Sequence, residues 1–132
     1  MGIQKLSHIG IAVRDLEQQV GFYRDQLGLE LVAIEEIADQ KLRVAVFRLG
    51  ESNVELLAPT SPESPVARFL DKRGEGLHHI AYEAVGLDRL LGELESKGVG
   101  LIDKSPRAGA GGKRIAFLHP RSTFGVLTEL CE

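Results

Sequence analysis

The chain has one cysteine, no tryptophan and only 5% aromatic residues among its 132. Cys131 alone excludes an internal disulfide and a cysteine cluster for zinc, and it fits a reducing compartment. No apolar run approaches the roughly 20 residues that a bilayer-spanning helix needs. The opening Met1-Gly2-Ile3-Gln4-Lys5-Leu6 has neither a long apolar segment nor an Arg/Ser-rich amphipathic lead, so a cytoplasmic protein with no membrane partner is expected. Positive charge is also not in excess: 16 Lys and Arg are interleaved with 19 Asp and Glu, for a net charge of −3. No basic stripe is left to neutralise a nucleic-acid backbone, which excludes that partner.

What is present is an ordinary globular mixture, 43% apolar and 27% charged, in a chain the size of one domain. From Leu6 to Val13 the sequence alternates, with Ile9, Ile11 and Val13 on one strand face and His8, Gly10 and Ala12 on the other, smaller and more open one. Asp15 reads as a helix N-cap before Leu16, Val20, Tyr23 and Leu27 at helical spacing, and Gly28 as the stop. Three apolar runs follow, Leu29 to Ile37, Leu42 to Leu49 and Val54 to Ala58, separated by turn residues. Ser64 and Pro65 then mark a short helix to about Asp71. The plan restarts with a strand at Leu77 to Tyr82, a helix on Leu87, Leu90, Leu91 and Leu94 ending near Lys97-Gly98, and strands around Gly100–Asp103, Arg114–Leu118 and Gly125–Cys131. The expected fold class is α+β: two βαβββ modules forming a curved mixed sheet in a single domain, 1–132. Module one covers about 5–60, the linker and short helix about 61–74, and module two about 75–132.

The halves are a repeat. His8-Ile9-Gly10 aligns with His79-Ile80-Ala81, and Leu16-Glu17 with Leu87-Asp88, at a constant offset of 71 residues. After small insertions, Val54-Glu55-Leu56 falls on Thr128-Glu129-Leu130, so each half offers a His on its first strand and a Glu on its last. A lone strand His is more often a satisfied polar residue than a ligand, and a lone Glu more often a solvated one. Recurrence at matched positions beside the small Gly10 and Ala81 shifts the balance toward a site. Two imidazoles and two carboxylates, His8, Glu55, His79 and Glu129, make a mixed N/O shell for one divalent ion such as Co, Ni, Zn, Mn or Fe. Such a shell leaves two octahedral positions for a substrate with adjacent oxygens. His78 shares a face with Ile80 and Tyr82 and reads as structural or as a support for the ligands; His119, before Pro120, reads as a turn residue.

Ser7 to Val13, Val54 to Pro59, Gly76 to Tyr82, Ala116 to Pro120 and Gly125 to Leu130 together resemble the methylmalonyl-CoA epimerases of the glyoxalase, or vicinal oxygen chelate, superfamily. The Leu-His-His-Ile-Ala and Phe-Leu-His-Pro segments are the more specific to that family, and the match runs over essentially the whole chain. The resemblance implies binding of the metal by His8, His79, Glu129 and Glu55, with Co2+ favoured, a homodimer, and a small-molecule CoA thioester as substrate. The implied reaction interconverts the epimers of methylmalonyl-CoA by removing the proton alpha to the thioester, through a metal-stabilised enolate. Some of these epimerases carry a proton-transfer glutamate on the third strand, where this chain has Val44. As the two carboxylates at the metal, Glu129 is expected to move the proton on one face and Glu55, or a water it holds, on the other. Lys113, Arg114, the Gly109-to-Gly112 loop and Arg121 are candidates to meet the CoA phosphates at the rim, without individual assignment. A glyoxalase I type lyase, a dioxygenase with two His and one Glu, and a non-catalytic binding protein of the same fold are the competing readings.

Overall fold

The computed structural model describes residues Gly2–Glu132; Met1, included in the expected domain, lies outside the described residues. The chain divides into two compact units, His8–His78 and the residues through Ser7 with His79–Glu132. Strand β1 (Gly2–Ala12) contributes to both. Among the described residues no helix is long and apolar enough to cross a membrane.

In the unit His8–His78, β1 is followed by α1 (Leu16–Gly21), β2 (Glu30–Ile37), β3 (Leu42–Leu49), β4 (Ser52–Pro59) and α2 (Pro65–Arg73). The strands run in the order β2-β3-β4-β1. Hairpins make β2/β3 and β3/β4 antiparallel, whereas β1 and β4, separated by a helix and two strands, pair in parallel. Asp15 caps α1 by accepting the Gln18 N–H. The helix then widens into a π turn, Phe22–Gln26, with the Leu27 N–H reaching back to the Phe22 carbonyl at 3.0 Å. This extra residue in the turn changes the expected apolar stripe: Tyr23 packs on Phe47, but Leu27 is 54% exposed. Gly28 supplies the positive φ that ends the helix. Val13, Leu16, Val20, Ala45, Phe47, Val54, Leu56 and Ala58 form the core. The face of β1 expected to be open is buried at His8, Gly10 and Ala12. Ser64 caps α2 by accepting the Val66 N–H, with Pro65 at the first helical position.

The other unit holds β5 (Gly76–Val85, from His79), α3 (Leu87–Ser96), β6 (Arg107–Ala108), β7 (Arg114–Leu118) and β8 (Thr128–Cys131). Here the order is β1-β5-β8-β7-β6, again with first and last strands, β5 and β8, in parallel. The α+β class and the doubled βαβββ order of the elements therefore hold, as does the mixture of parallel and antiparallel pairs. One core cluster is Leu87, Leu91, Ala116, Leu118 and Leu130; another is Ile115, Phe117 and Cys131. Cys131 is fully buried, and burial pushes its thiol up. The strand expected at Gly100–Asp103 is reduced to a single bridge, Leu101 to Leu118. The Ile102 and Asp103 N–H groups both turn to the Phe117 carbonyl, and the Asp103 carboxylate takes the Phe117 N–H at 2.9 Å, so side-chain bonding replaces the ladder. The last strand likewise starts at Thr128 rather than Gly125, after a turn in which Phe124 adopts a φ of 57°.

Helix α3 has Gly86 at its N-cap position, with no side chain to cap it. Glu132 replaces the missing cap, accepting the Gly86 N–H at 2.8 Å and the Leu87 N–H at 3.0 Å. Those two backbone hydrogen bonds hold its carboxyl below the ordinary 4.5.

Two outcomes follow from this packing. Leu56 is fully buried, so Leu56→Ala should cost about 2–5 kcal/mol in urea denaturation. The Glu132 carboxyl has a depressed folded pKa, so its contribution is present above its unfolded value near 4.5 and is lost as pH falls through the folded value. Glu132→Gln should therefore lower the melting temperature at pH 7, and its difference from the parent should shrink below pH 4.5 in thermal melts followed by circular dichroism.

Candidate metal centre

The parallel strand pairs position the candidate ligands. In β1/β4, Gly10 lies opposite Glu55; in β5/β8, Ala81 lies opposite Glu129. His8 and His79 sit two residues before Gly10 and Ala81, so strand alternation gives each the face of its small neighbour. With no side chain at Gly10 and only a methyl at Ala81, the carboxylate can reach along the strand to the imidazole. His8 Nδ1 lies 3.4 Å from Glu55 Oε2, and His79 Nε2 lies 3.3 Å from Glu129 Oε1.

All four residues are buried, with exposures of 5% for His8, 7% for Glu55, 4% for His79 and 4% for Glu129. Glutamate is almost never buried to that degree unless it is paired or holds a metal. His8, His79 and Glu129 stand out as buried residues able to ligate a metal ion, each offering an imidazole nitrogen or a carboxylate oxygen. The donor set fits a divalent cation, because imidazole and carboxylate suit Zn, Mn, Fe, Co and Ni alike. The spacing within each pair fits too. Two donors held about 2.1 Å from one ion are about 3.0 Å apart at a right angle and about 3.4 Å apart at a tetrahedral one.

The surroundings separate ligand candidates from the other histidines. His79 meets the Phe117 ring, centroids 5.5 Å apart and planes at 83°, and Phe117 lies opposite Glu129 across β7/β8. Arg107 places its guanidinium carbon 5.7 Å over the same ring and pairs with Asp103 at 3.2 Å. The sequence pointed to Phe117 only as part of a motif; the β7/β8 register, once known, marks it as the neighbour of Glu129. His78 takes the opposite strand face and packs on Phe69 of α2, centroids 4.9 Å apart, a structural role. His119 accepts the Arg121 N–H in a turn. Val44 is an apolar, buried residue of β3 paired with Leu57 and Glu35, so that position brings no carboxylate. Two of the candidate CoA-binding cations are engaged in this unit: Lys113 with Glu83, whose carboxyl it holds below the usual range, and Arg114 with Asp88.

A fold of two βαβββ units, each with a buried His and Glu on parallel strands, defines the class. Residues 7–117 match the model of the Glyoxalase/Bleomycin resistance protein/Dioxygenase superfamily, and the chain belongs to it. It is 47% identical over 130 residues to the uncharacterized protein YqjC of Bacillus subtilis, covering 98% of this chain and 93% of that protein. It is also 38% identical to the ethylmalonyl-CoA/methylmalonyl-CoA epimerase of Cereibacter sphaeroides, covering 97% of each. Among solved structures, a variant of Streptomyces coelicolor methylmalonyl-CoA epimerase in complex with 2-nitronate-propionyl-CoA superposes with a TM-score of 0.94 at 40% identity. That match covers 98% of this chain and 94% of the other.

A bound ion stabilises the folded state by mass action, about 2.7 kcal/mol at a hundred times its Kd. Cobalt should thus raise the melting temperature of chelator-treated protein, and His79→Ala should remove that increment while His78→Ala keeps it. Equal increments in both variants would contradict the assignment.

Proposed function

We propose that this chain is a methylmalonyl-CoA epimerase that works with one divalent metal ion held by His8, Glu55, His79 and Glu129. The observation that carries the reading is the doubled half-site, a buried His and Glu on parallel strands in each unit. It stands in a chain whose relatives are named as epimerases of such thioesters. The bound cation would supply Lewis-acid stabilisation of the negative charge that develops when the proton leaves. Cobalt is the ion favoured by the family resemblance.

The chemistry needs a group that takes a proton from one side of the carbon alpha to the thioester and one that returns it on the other. Glu129 and Glu55 are the carboxylates in the shell, and β3 carries Val44 where some of these epimerases have a glutamate. We assign Glu129 to one side and Glu55, directly or through a water it holds, to the other. Burial keeps bulk water from the carbanion, which favours return of a proton from a fixed group over random exchange. The CoA handle remains at the rim. The protein acts in the cytoplasm as a homodimer, with residues 1–132 forming one domain built of two modules.

Following the second-carbon proton of methylmalonyl-CoA by NMR in deuterated water tests this directly. Cobalt-loaded protein should exchange it and EDTA-treated protein should not. Glu129→Gln should slow exchange by about 100-fold or more. Undiminished exchange in both Glu129→Gln and Glu55→Gln would remove them as the bases. A folded, cobalt-loaded protein that exchanges nothing, yet converts the glutathione hemithioacetal of methylglyoxal, would be a glyoxalase I type lyase instead.

A further inference from the structure

The ring against His79 is itself held in place by a charged pair outside the ligand set. Both carboxylate oxygens of Asp103 take part, since Oδ2 accepts the Phe117 N–H at 2.9 Å and Oδ1 meets Arg107 Nε at 3.2 Å. The Arg107 guanidinium carbon then lies 5.7 Å above the Phe117 ring, and the ring stands nearly perpendicular to the His79 imidazole at 5.5 Å. The Phe117 backbone meanwhile lies opposite Glu129 in the β7/β8 ladder. Phe117 therefore touches one member of the His79/Glu129 pair through its ring and is register partner to the other. The Asp103 side chain is 16% exposed, so this pair is better shielded than the chain's outer ion pairs.

We propose that Asp103, Arg107 and Phe117 are positioning residues for His79, fixing the plane of its imidazole and thereby the affinity and geometry of the metal site. This rests on the reading of His79 as a ligand. An imidazole nitrogen binds through a lone pair in the ring plane, so a tilt of that plane weakens the bond before any atom leaves the site. Groups around a metal-binding histidine set the orientation of its ring. At His79 a perpendicular aromatic ring supplies a wall, and the cation over that ring holds the wall in turn. Asp103 fixes backbone and cation together, which makes the ring's position insensitive to movement of the partly exposed Arg107 stem.

The test is cobalt titration of the full chain against a competing chelator, with the visible cobalt spectrum recorded and the metal-free melting temperature measured in parallel. Phe117→Leu should weaken cobalt binding by about 10–100-fold and alter the spectrum, and Phe117→Tyr should restore both. Arg107→Met and Asp103→Asn, which leave the core intact, should give a smaller loss in the same direction. If these variants lower only the metal-free melting temperature and bind cobalt like the parent with the same spectrum, the three residues are structural and the proposal falls. His79→Ala separates the two levels: parent-like cobalt binding in that variant would overturn the ligand reading and the proposal with it. Lost binding there, beside unchanged binding in Phe117→Leu and Arg107→Met, would overturn the positioning role alone.

Discussion

A buried carboxylate has to be compensated, and two of them set the terms for this structure. Glu55 and Glu129 are withdrawn from water almost completely. An isolated charge in that position would carry a large desolvation cost. Each instead has an imidazole nitrogen within 3.4 Å. That proximity depends on first and last strands of a unit lying side by side in parallel, with a small residue beneath the carboxylate. The crossover through a helix and two strands makes parallel pairing possible. Gly10 and Ala81 leave the space. The apolar clusters hold the strands that carry these groups, so packing and site are satisfied by one topology.

Much of this was legible in the sequence because it repeats. A single His-Ile-Gly strand says little; its near-repetition 71 residues later, with a Glu on the last strand of each half once small insertions are allowed, points to the ligand types and to the βαβββ plan. Helix caps at Asp15 and Ser64 were equally readable, since each side chain acts on a backbone N–H of the next turn. What escaped was long-range or non-ideal. The π turn after Gly21, which exposes Leu27, follows no simple periodicity. The loss of the strand at Gly100–Asp103 comes from a side chain bonding a strand distant in sequence. Capping of α3 by Glu132 joins residues 45 apart. The aromatic wall at His79 required the β7/β8 register, which no local pattern supplies.

The doubled half-site also suits the proposed chemistry. Inverting a carbon centre requires proton transfer on opposite sides, and a duplicated unit furnishes two carboxylates of similar surroundings without a separate invention for each. At the Val44 position the third strand offers no carboxylate. Burial then serves two ends: it raises the cost of leaving the carboxylates unpartnered, which favours holding a cation, and it excludes solvent from a carbanion that water would otherwise quench.

Whether the two His/Glu pairs serve one ion is decided by equilibrium dialysis of the parent chain with cobalt, and of His8→Ala and His79→Ala beside it. If they share an ion, the parent holds one cobalt per chain and either variant loses that same ion. Two ions per chain, with each variant retaining one, would show two independent half-sites and refute the shared centre.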